Sequence, residues 1–412
     1  MPTFLLFTLH SILYTLPLAV EMLAALLTMS GIAYSVLALW AARDFERRAR
    51  ETRANEWRLD AAEGLRESER KFAPGVSILK PVKGTDERTY AAFASHCTQV
   101  YTGEFELLFG VSSVEDTAAA EIARLRIEYP DVAIRLIECP LRLGASGKVS
   151  NLVQMLSEAR FERVVINDGD IVVSPRYLER VMAPLEDARV GLVTAPYIGR
   201  AEKTVWSRLE ALGISTDFMA GVLAARKIEG GIRFGLGSTL ATTKSALAMS
   251  GGLAALVDCL ADDYEIGARI AAAGLRVELV NEVVETSVPA YTLRGFCEHQ
   301  LRWARSTRDS RRWGYAGLGV TYVLPWAVAT VAASGGALWS FSLLSLALLA
   351  RVSVALTVGV GVLRDGQVLR DILLLPLRDL LGLFFWAWSF AGDTVVWRGE
   401  RFRLRRGRLQ RM

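Results

Sequence analysis

VVINDGDIVVSP, residues 164–175, sets an apolar run against a pair of acids. Val164, Val165 and Ile166 favour a strand, Asn167 less strongly, and the run stops at Asp168 and Asp170 around Gly169. A buried strand ending in Asp-x-Asp carries two hard oxygen ligands to the mouth of a sheet. Mg2+ or Mn2+ is held by one or two such carboxylates together with substrate phosphates. The same residues also suit a plain turn whose aspartates precede a helix start at Ser174-Pro175. Three residues alone favour that plainer reading, because so short a motif recurs by chance.

Outward from this stretch, short apolar runs alternate with helical spacing. VSILKP (76–81), FELLFGVSS (105–113), VAIRLIEC (132–139) and RVVIND (163–168) read as strands. EDTAAAEIARLRIEYP and GKVSNLVQMLSEAR, between them, read as helices. The alternation predicts an α/β domain with a mostly parallel sheet and ligands at the carboxyl ends of its strands. A haloacid-dehalogenase-type phosphohydrolase, with Asp168 as covalent nucleophile and Asp170 as acid, is a rival reading. That motif opens its domain, whereas here three strands come first.

The chain has 412 residues, 52% of them hydrophobic, and the apolar excess sits at the two ends. Met22–Ala42 is about the 20 residues that span a bilayer core, and residues 1–20 are a second span or an extension. No basic run precedes them, which argues against a cleaved signal. Arg43, Arg47, Arg48, Arg50 and Arg53 follow, and the positive-inside bias puts that side in the cytoplasm. Further apolar stretches lie near 317–335, 338–362 and 371–392; Arg351, Arg378 and Asp379 interrupt them, so 371–392 is expected to be interfacial. The expected division is an N-terminal membrane region (1–42), a charged helical linker (43–73), a cytoplasmic catalytic domain (74–290), an amphipathic helix at the membrane surface (291–314), a second membrane or interfacial region (315–393) and a basic cytoplasmic tail (394–412). A net charge of +4 is too mild to argue for nucleic acid. Four dispersed cysteines without a CxxC pair, and three histidines, argue against a zinc site or a disulfide scaffold.

Four further segments carry chemistry. LADDYEIGARIAAAGLRV (260–277) starts a helix with Asp262 and Asp263, either as favourable charges at its positive end or with one as a general base. HQLRWAR (299–305) offers Arg302, whose planar fork suits paired phosphate oxygens, and Trp303, a flat apolar wall; the plain alternative is a basic interfacial helix with an aromatic anchor. LKPVKGTDER (79–88) sets Lys80, Lys83 and Asp86 in a turn at the crevice. GASGKVSN (144–151) puts Lys148 at a helix start, where anions are favoured. A surface turn is the default for the last two.

KPVKGTD, then NDGD, then ADD, then the Arg-Trp pair, in this order and spacing, resembles the membrane-bound ceramide glucosyltransferases. Their bacterial hopanoid-biosynthesis glycosyltransferase relatives, within the inverting enzymes of GT-A fold, are similar too. The likeness covers roughly residues 74–315. It implies a GT-A-like domain that moves a sugar from a UDP-sugar to a membrane lipid, in an integral protein of a bacterial inner membrane. Asp86, with Lys80, Lys83 and Lys148, would serve the nucleotide; Asp168 would serve the diphosphate and, with Asp170, a Mg2+ or Mn2+; Asp263 would be the base. Asp262, His299, Gln300, Arg302 and Trp303 would complete the diphosphate and acceptor pocket. Two departures stand out: His299 replaces the usual Gln or Arg, and Ser113 replaces an acid that Glu115 or Asp116 would supply. Processive polysaccharide synthases share the pattern but need more membrane helices to export polymer. A non-catalytic membrane adaptor is the remaining alternative.

Overall fold

The structure, a computed structural model, describes residues 2–63, 72–397 and 399–412, without the side chains of 2–16 and 52–63. Residues 64–71 of the expected linker therefore lie outside the described residues. The centre is a seven-stranded sheet built from β1 (Val76–Pro81), β2 (Phe105–Val111), β3 (Ala133–Glu138), β4 (Arg163–Ile166), β5 (Val190–Thr194), β7 (Leu240–Thr243) and β8 (Arg276–Leu279). Their order is β3-β2-β1-β4-β7-β5-β8. Every residue of β1 and β5 is buried, as expected for strands covered by helices on both faces.

The sheet is mostly parallel, as expected, with one reversed strand. β7 runs antiparallel to both β4 and β5, while the other pairings are parallel. The path of the chain explains this. After β5 it stays at the carboxyl-end side of the sheet for β6 (Tyr197–Ala201) and the helical segments between Val205 and Glu229. It then enters β7 from that same side, so β7 points backwards. β6 pairs in parallel with β9 (Val284–Val288). β9 in turn bridges Val172, just beyond the Asp-x-Asp turn: Val172 N–H donates to Glu285 O at 2.9 Å and the reverse bond is 3.0 Å.

One helix runs Pro2–Glu63, and its Pro17–Glu51 part is long and apolar enough to cross a membrane. Leu338–Val362 passes the same test. Arg312–Thr321 and Val323–Ala333 pass it together but are bent by 55°. Pro325 explains the bend, since its ring clashes with the carbonyl four residues back, at Thr321. Leu375–Ser389 has only 15 residues, about 22 Å at 1.5 Å per residue, short of a bilayer core. Leu377, Leu380, Phe384 and Trp388 are exposed on it, whereas Arg378 and Asp379 are buried.

Those two charges and Arg351 are not mere interruptions of an apolar pattern. Arg351 Nε donates to Asp379 Oδ1 at 2.8 Å, and Arg351 also pairs with Asp217. Arg378 Nε donates to the other oxygen of Asp217 at 2.8 Å. Asp217 lies in a π-helical turn, Ile214–Phe218, that offers its side chain to both arginines.

The basic C-terminal segment is also more than a tail. β10 (Thr394–Trp397), β11 (Glu400–Arg405) and β12 (Arg408–Arg411) form an antiparallel sheet. Its inner face, Val395, Phe402, Leu404 and Leu409, packs with Ala145 and Leu260. Backbone bonds join it to the acidic segment: Leu260 N–H donates to Gly407 O at 3.1 Å and Leu409 N–H to Asp258 O at 2.7 Å. Phe402→Ala should cost about 3–5 kcal/mol locally. Proteolysis of the sheet should then precede global melting; equal protease resistance in the variant would show that the sheet is not held by this cluster.

Candidate functional site

At the centre of the sheet, β1 has β2 on one side and β4 on the other, the reversal of strand order beside which ligands bind in such folds. Asn167 holds the end of β4 rigidly. Its N–H donates to Leu79 O at 3.1 Å, and its side-chain amide donates to Tyr177 Oη at 2.9 Å and Ser238 O at 2.6 Å. The Asp-x-Asp turn leaves this anchor. Asp170 Oδ2 accepts from Thr286 Oγ1 at 2.6 Å and from Ser287 N–H at 3.0 Å, both on β9. Asp168 Oδ1 meets Lys148 Nζ at 2.8 Å.

Lys148 joins the two acidic motifs. Its ammonium is also 3.0 Å from Asp262 Oδ2, an ion pair without hydrogen-bond alignment. Burial lowers the Lys148 pKa, but Asp168, Asp262 and Asp263 more than offset it and hold the group above its usual range. Ser146 sets the position of this lysine by capping the helix Gly147–Glu158, accepting from Val149 N–H.

Asp262 and Asp263 open the helix Asp262–Ala272. A Cβ on Gly237 would sit 3.0 Å from Asp263 Oδ2, so the absent side chain makes room for this carboxylate. Burial and the charge of Asp262 push Asp263 up to about 6. A base works only when deprotonated, so activity should fall as pH drops through about 6 rather than through the usual carboxyl range near 4. A kcat/KM profile checks this; an acid limb near 4 would remove Asp263 from that role.

Other expected residues sit around this cluster at different depths. Lys80 is fully buried beneath the turn and donates to Asp168 O at 3.1 Å. Burial pulls it down to about 7, against Asp170 and Asp168; its ammonium serves the backbone of the turn. Lys83 and Asp86 are exposed in the loop after β1, where Asp86 accepts from Arg88 N–H at 2.9 Å. Asp116 accepts from Gly84 N–H at 2.9 Å, tying that loop to the one after β2. Ser113 and Glu115 are exposed there.

The helix Leu293–Ser310 carries the Arg-Trp pair and is capped by Thr292, which accepts from Gly295 N–H at 3.1 Å. Trp303 packs against the rings of Phe218 and His299, each centroid 5.7 Å away. His299 Nδ1 is 3.3 Å from Glu210 Oε1, and Gln300 donates to the other oxygen of Glu210. Gln300 Oε1 accepts from Arg378 Nη1 at 2.9 Å, which joins this helix to the buried charges of the apolar region. Burial raises Glu210, but His299, Arg378 and Arg302 hold its carboxyl below the usual range.

Two residues escape sequence reasoning. Burial drives the Tyr197 hydroxyl well up, and the charges of Asp263, Glu210, Asp168 and Asp170 add to it. Its ring packs against Phe218, which in turn meets Trp303 of the Arg-Trp helix. Glu210 is a lone acid amid Leu209 and Ala211, all buried. A charge on an apolar helix face is a signal, though an unspecific one; nothing in the sequence around Tyr197 marks it.

Residues 23–410 match the profile of glycosyl transferase family 21, and the chain belongs to that family. It is 25% identical over 233 residues to ceramide glucosyltransferase 1 of Caenorhabditis elegans, covering 56% of this chain and 49% of that protein. It is 30% identical over 123 residues to a ceramide glucosyltransferase of Komagataella phaffii, 27% of this chain and 24% of that one. The chain thus spans about half the length, or less, of these relatives. Among solved structures, the mannosyltransferase PcManGT from Pyrobaculum calidifontis, in complex with GDP-Man and Mn2+, shares the fold. Its TM-score is 0.54 at 19% identity, over 90% of this chain and 97% of that one.

Proposed function

We propose that this protein is an inverting glycosyltransferase of GT-A fold that moves one sugar from a UDP-sugar to a membrane lipid, ceramide-like or hopanoid-like. The observation that carries the reading is Lys148, whose ammonium lies 2.8 Å from Asp168 Oδ1 and 3.0 Å from Asp262 Oδ2 and so brings the Asp-x-Asp turn and the acidic helix start together. This cluster lies at the carboxyl ends of the strands and beside a helix that leads into apolar segments.

The geometry supports the following roles. The exposed loop with Lys83 and Asp86 suits the nucleotide, and Arg302 and Lys148 suit the diphosphate. A divalent cation fits Asp168 and Asp170. Burial and the charge of Asp168 raise Asp170, a strain that a cation relieves. One oxygen of Asp170 is fixed by Thr286 and Ser287, leaving the other for an ion. Among the described residues no third acidic, cysteine or histidine ligand joins these two carboxylates, and Mg2+ is commonly held by one or two carboxylates together with substrate phosphates. Mn2+ or Mg2+ would supply Lewis-acid stabilisation of the departing UDP.

Asp263 takes the acceptor hydroxyl's proton, and Trp303 walls the acceptor side. The hydroxyl enters opposite the leaving group, which inverts the anomeric carbon. Among the described residues two apolar helices, or three if the bent pair counts as one span, are long enough to cross a membrane, which supports lipid glycosylation over polymer export. The Asp-x-Asp turn follows the fourth strand of the domain rather than the first, which argues against a phosphohydrolase nucleophile. The chain would be an integral protein of a bacterial inner membrane, its catalytic domain facing the cytoplasm.

The test is a product assay on membranes bearing the chain, with a panel of labelled UDP-sugars, GDP-mannose, and either ion. Labelled lipid from a UDP-sugar is expected. Polymer, free phosphate without labelled lipid, or lipid labelled from GDP-mannose alone would refute the reading.

A further inference from the structure

We propose that the outer face of the C-terminal sheet is a docking surface for anionic lipid headgroups. Strand register sets its composition. Val395 opposite Phe402, and Leu404 opposite Leu409, face inward and are buried. The alternate positions point the other way, and Arg401, Arg403, Arg405, Arg408 and Gln410 are all exposed there. Arg403 has Asp393 at 3.4 Å. Arg401, Arg405 and Arg408 have no ion-pair partner among the described residues. Four arginines on one small face repel one another, and nothing in the fold explains retaining them. A surface of opposite charge does.

Three attachments place this face where apolar helices emerge. β10 starts five residues after the short helix Leu375–Ser389, whose exposed side carries Phe384 and Trp388. Arg305 donates to Thr394 O, pinning β10 to the Arg-Trp helix. Gly407 N–H, in the turn before β12, donates to Asp309 Oδ2 at 3.1 Å. Asp309 lies three residues before Arg312, the first residue of the bent apolar pair, and Trp313 beside it is almost fully exposed. An arginine face tied to segments that carry exposed tryptophans at the root of apolar helices meets headgroups, where each basic residue near an anionic surface favours binding by about fivefold.

The inference rests on the membrane placement proposed above, and one experiment separates the two. The full chain carries a fluorophore on Gln410→Cys, with partly exposed Cys297 replaced by serine; the other three cysteines are buried. It is reconstituted in phosphatidylcholine vesicles, with or without phosphatidylglycerol, each containing a headgroup-linked quencher. Several-fold stronger quenching is expected in the anionic vesicles, reversed by salt and lost in R401Q/R405Q/R408Q. These three side chains point outward, so the variant keeps the inner face. Vesicle co-flotation with equal, salt-insensitive quenching in both lipids would overturn the docking alone. Failure to co-float would overturn the membrane placement and the docking with it. A fluorescence response to RNA but not to anionic vesicles would also refute it.

Discussion

Asp263→Asn should lower sugar transfer by about 10³-fold, within the range that a positioned general base supplies, while donor binding stays within a few-fold. The amide has nearly the carboxylate's volume, so the close approach to Gly237 survives. What disappears is a proton acceptor beside the acceptor hydroxyl. The acid limb near pH 6 should vanish with it, because burial and Asp262 raise that group in particular. A residual rate still titrating near 6 would move the base to another carboxylate. Glu210 is then the next candidate, since it is buried and lies 3.3 Å from His299 on the Arg-Trp helix. The adaptor reading predicts instead that Asp263→Asn leaves function intact.

The second large effect is expected at the metal ligands. Asp170→Asn should reduce turnover by about 10²–10³-fold, which several kcal/mol of transition-state charge stabilisation amounts to. It should also abolish Mn2+ stimulation. Asp170 is a cleaner choice than Asp168, whose loss would also free Lys148 from its ion pair. Thr286 and Ser287 can still hold the asparagine oxygen, so the turn should keep its shape. Measuring UDP binding by calorimetry with and without Mn2+ separates the two contributions. Wild type should bind UDP more tightly with the ion, and the variant should bind equally in both. A variant that keeps the Mn2+ response would place the cation elsewhere.

Much of the catalytic half was legible because its signals are local. The expected strand at 76–81 coincides with β1, and those at 105–113, 132–139 and 163–168 overrun β2, β3 and β4 by one or two residues. Apolar runs buried on both faces carry that pattern in themselves. The acidic helix start and the small residues before Lys148 are local too. The reversal of β7 was hidden, because strand direction depends on where the intervening helices sit. The C-terminal sheet was masked by its arginines, although Phe402 and Leu404 alternate with them at the strand period. Arg351 and Arg378 looked like defects in membrane segments because the acid they share, Asp217, lies more than 130 residues away; Asp379 pairs in turn with Arg351. Tyr197 was invisible for the same reason: it packs against Phe218 and pairs with Val284, both distant in the chain.

The proposed mechanism is one displacement on a UDP-sugar in this cluster, with Asp263 as base and no covalent enzyme intermediate. Its most direct test is the anomeric configuration of the glycolipid formed from an α-linked UDP-sugar, read by proton NMR. The account predicts a β-linked product. An α-linked product would require either a double displacement or a front-face reaction, and would contradict it.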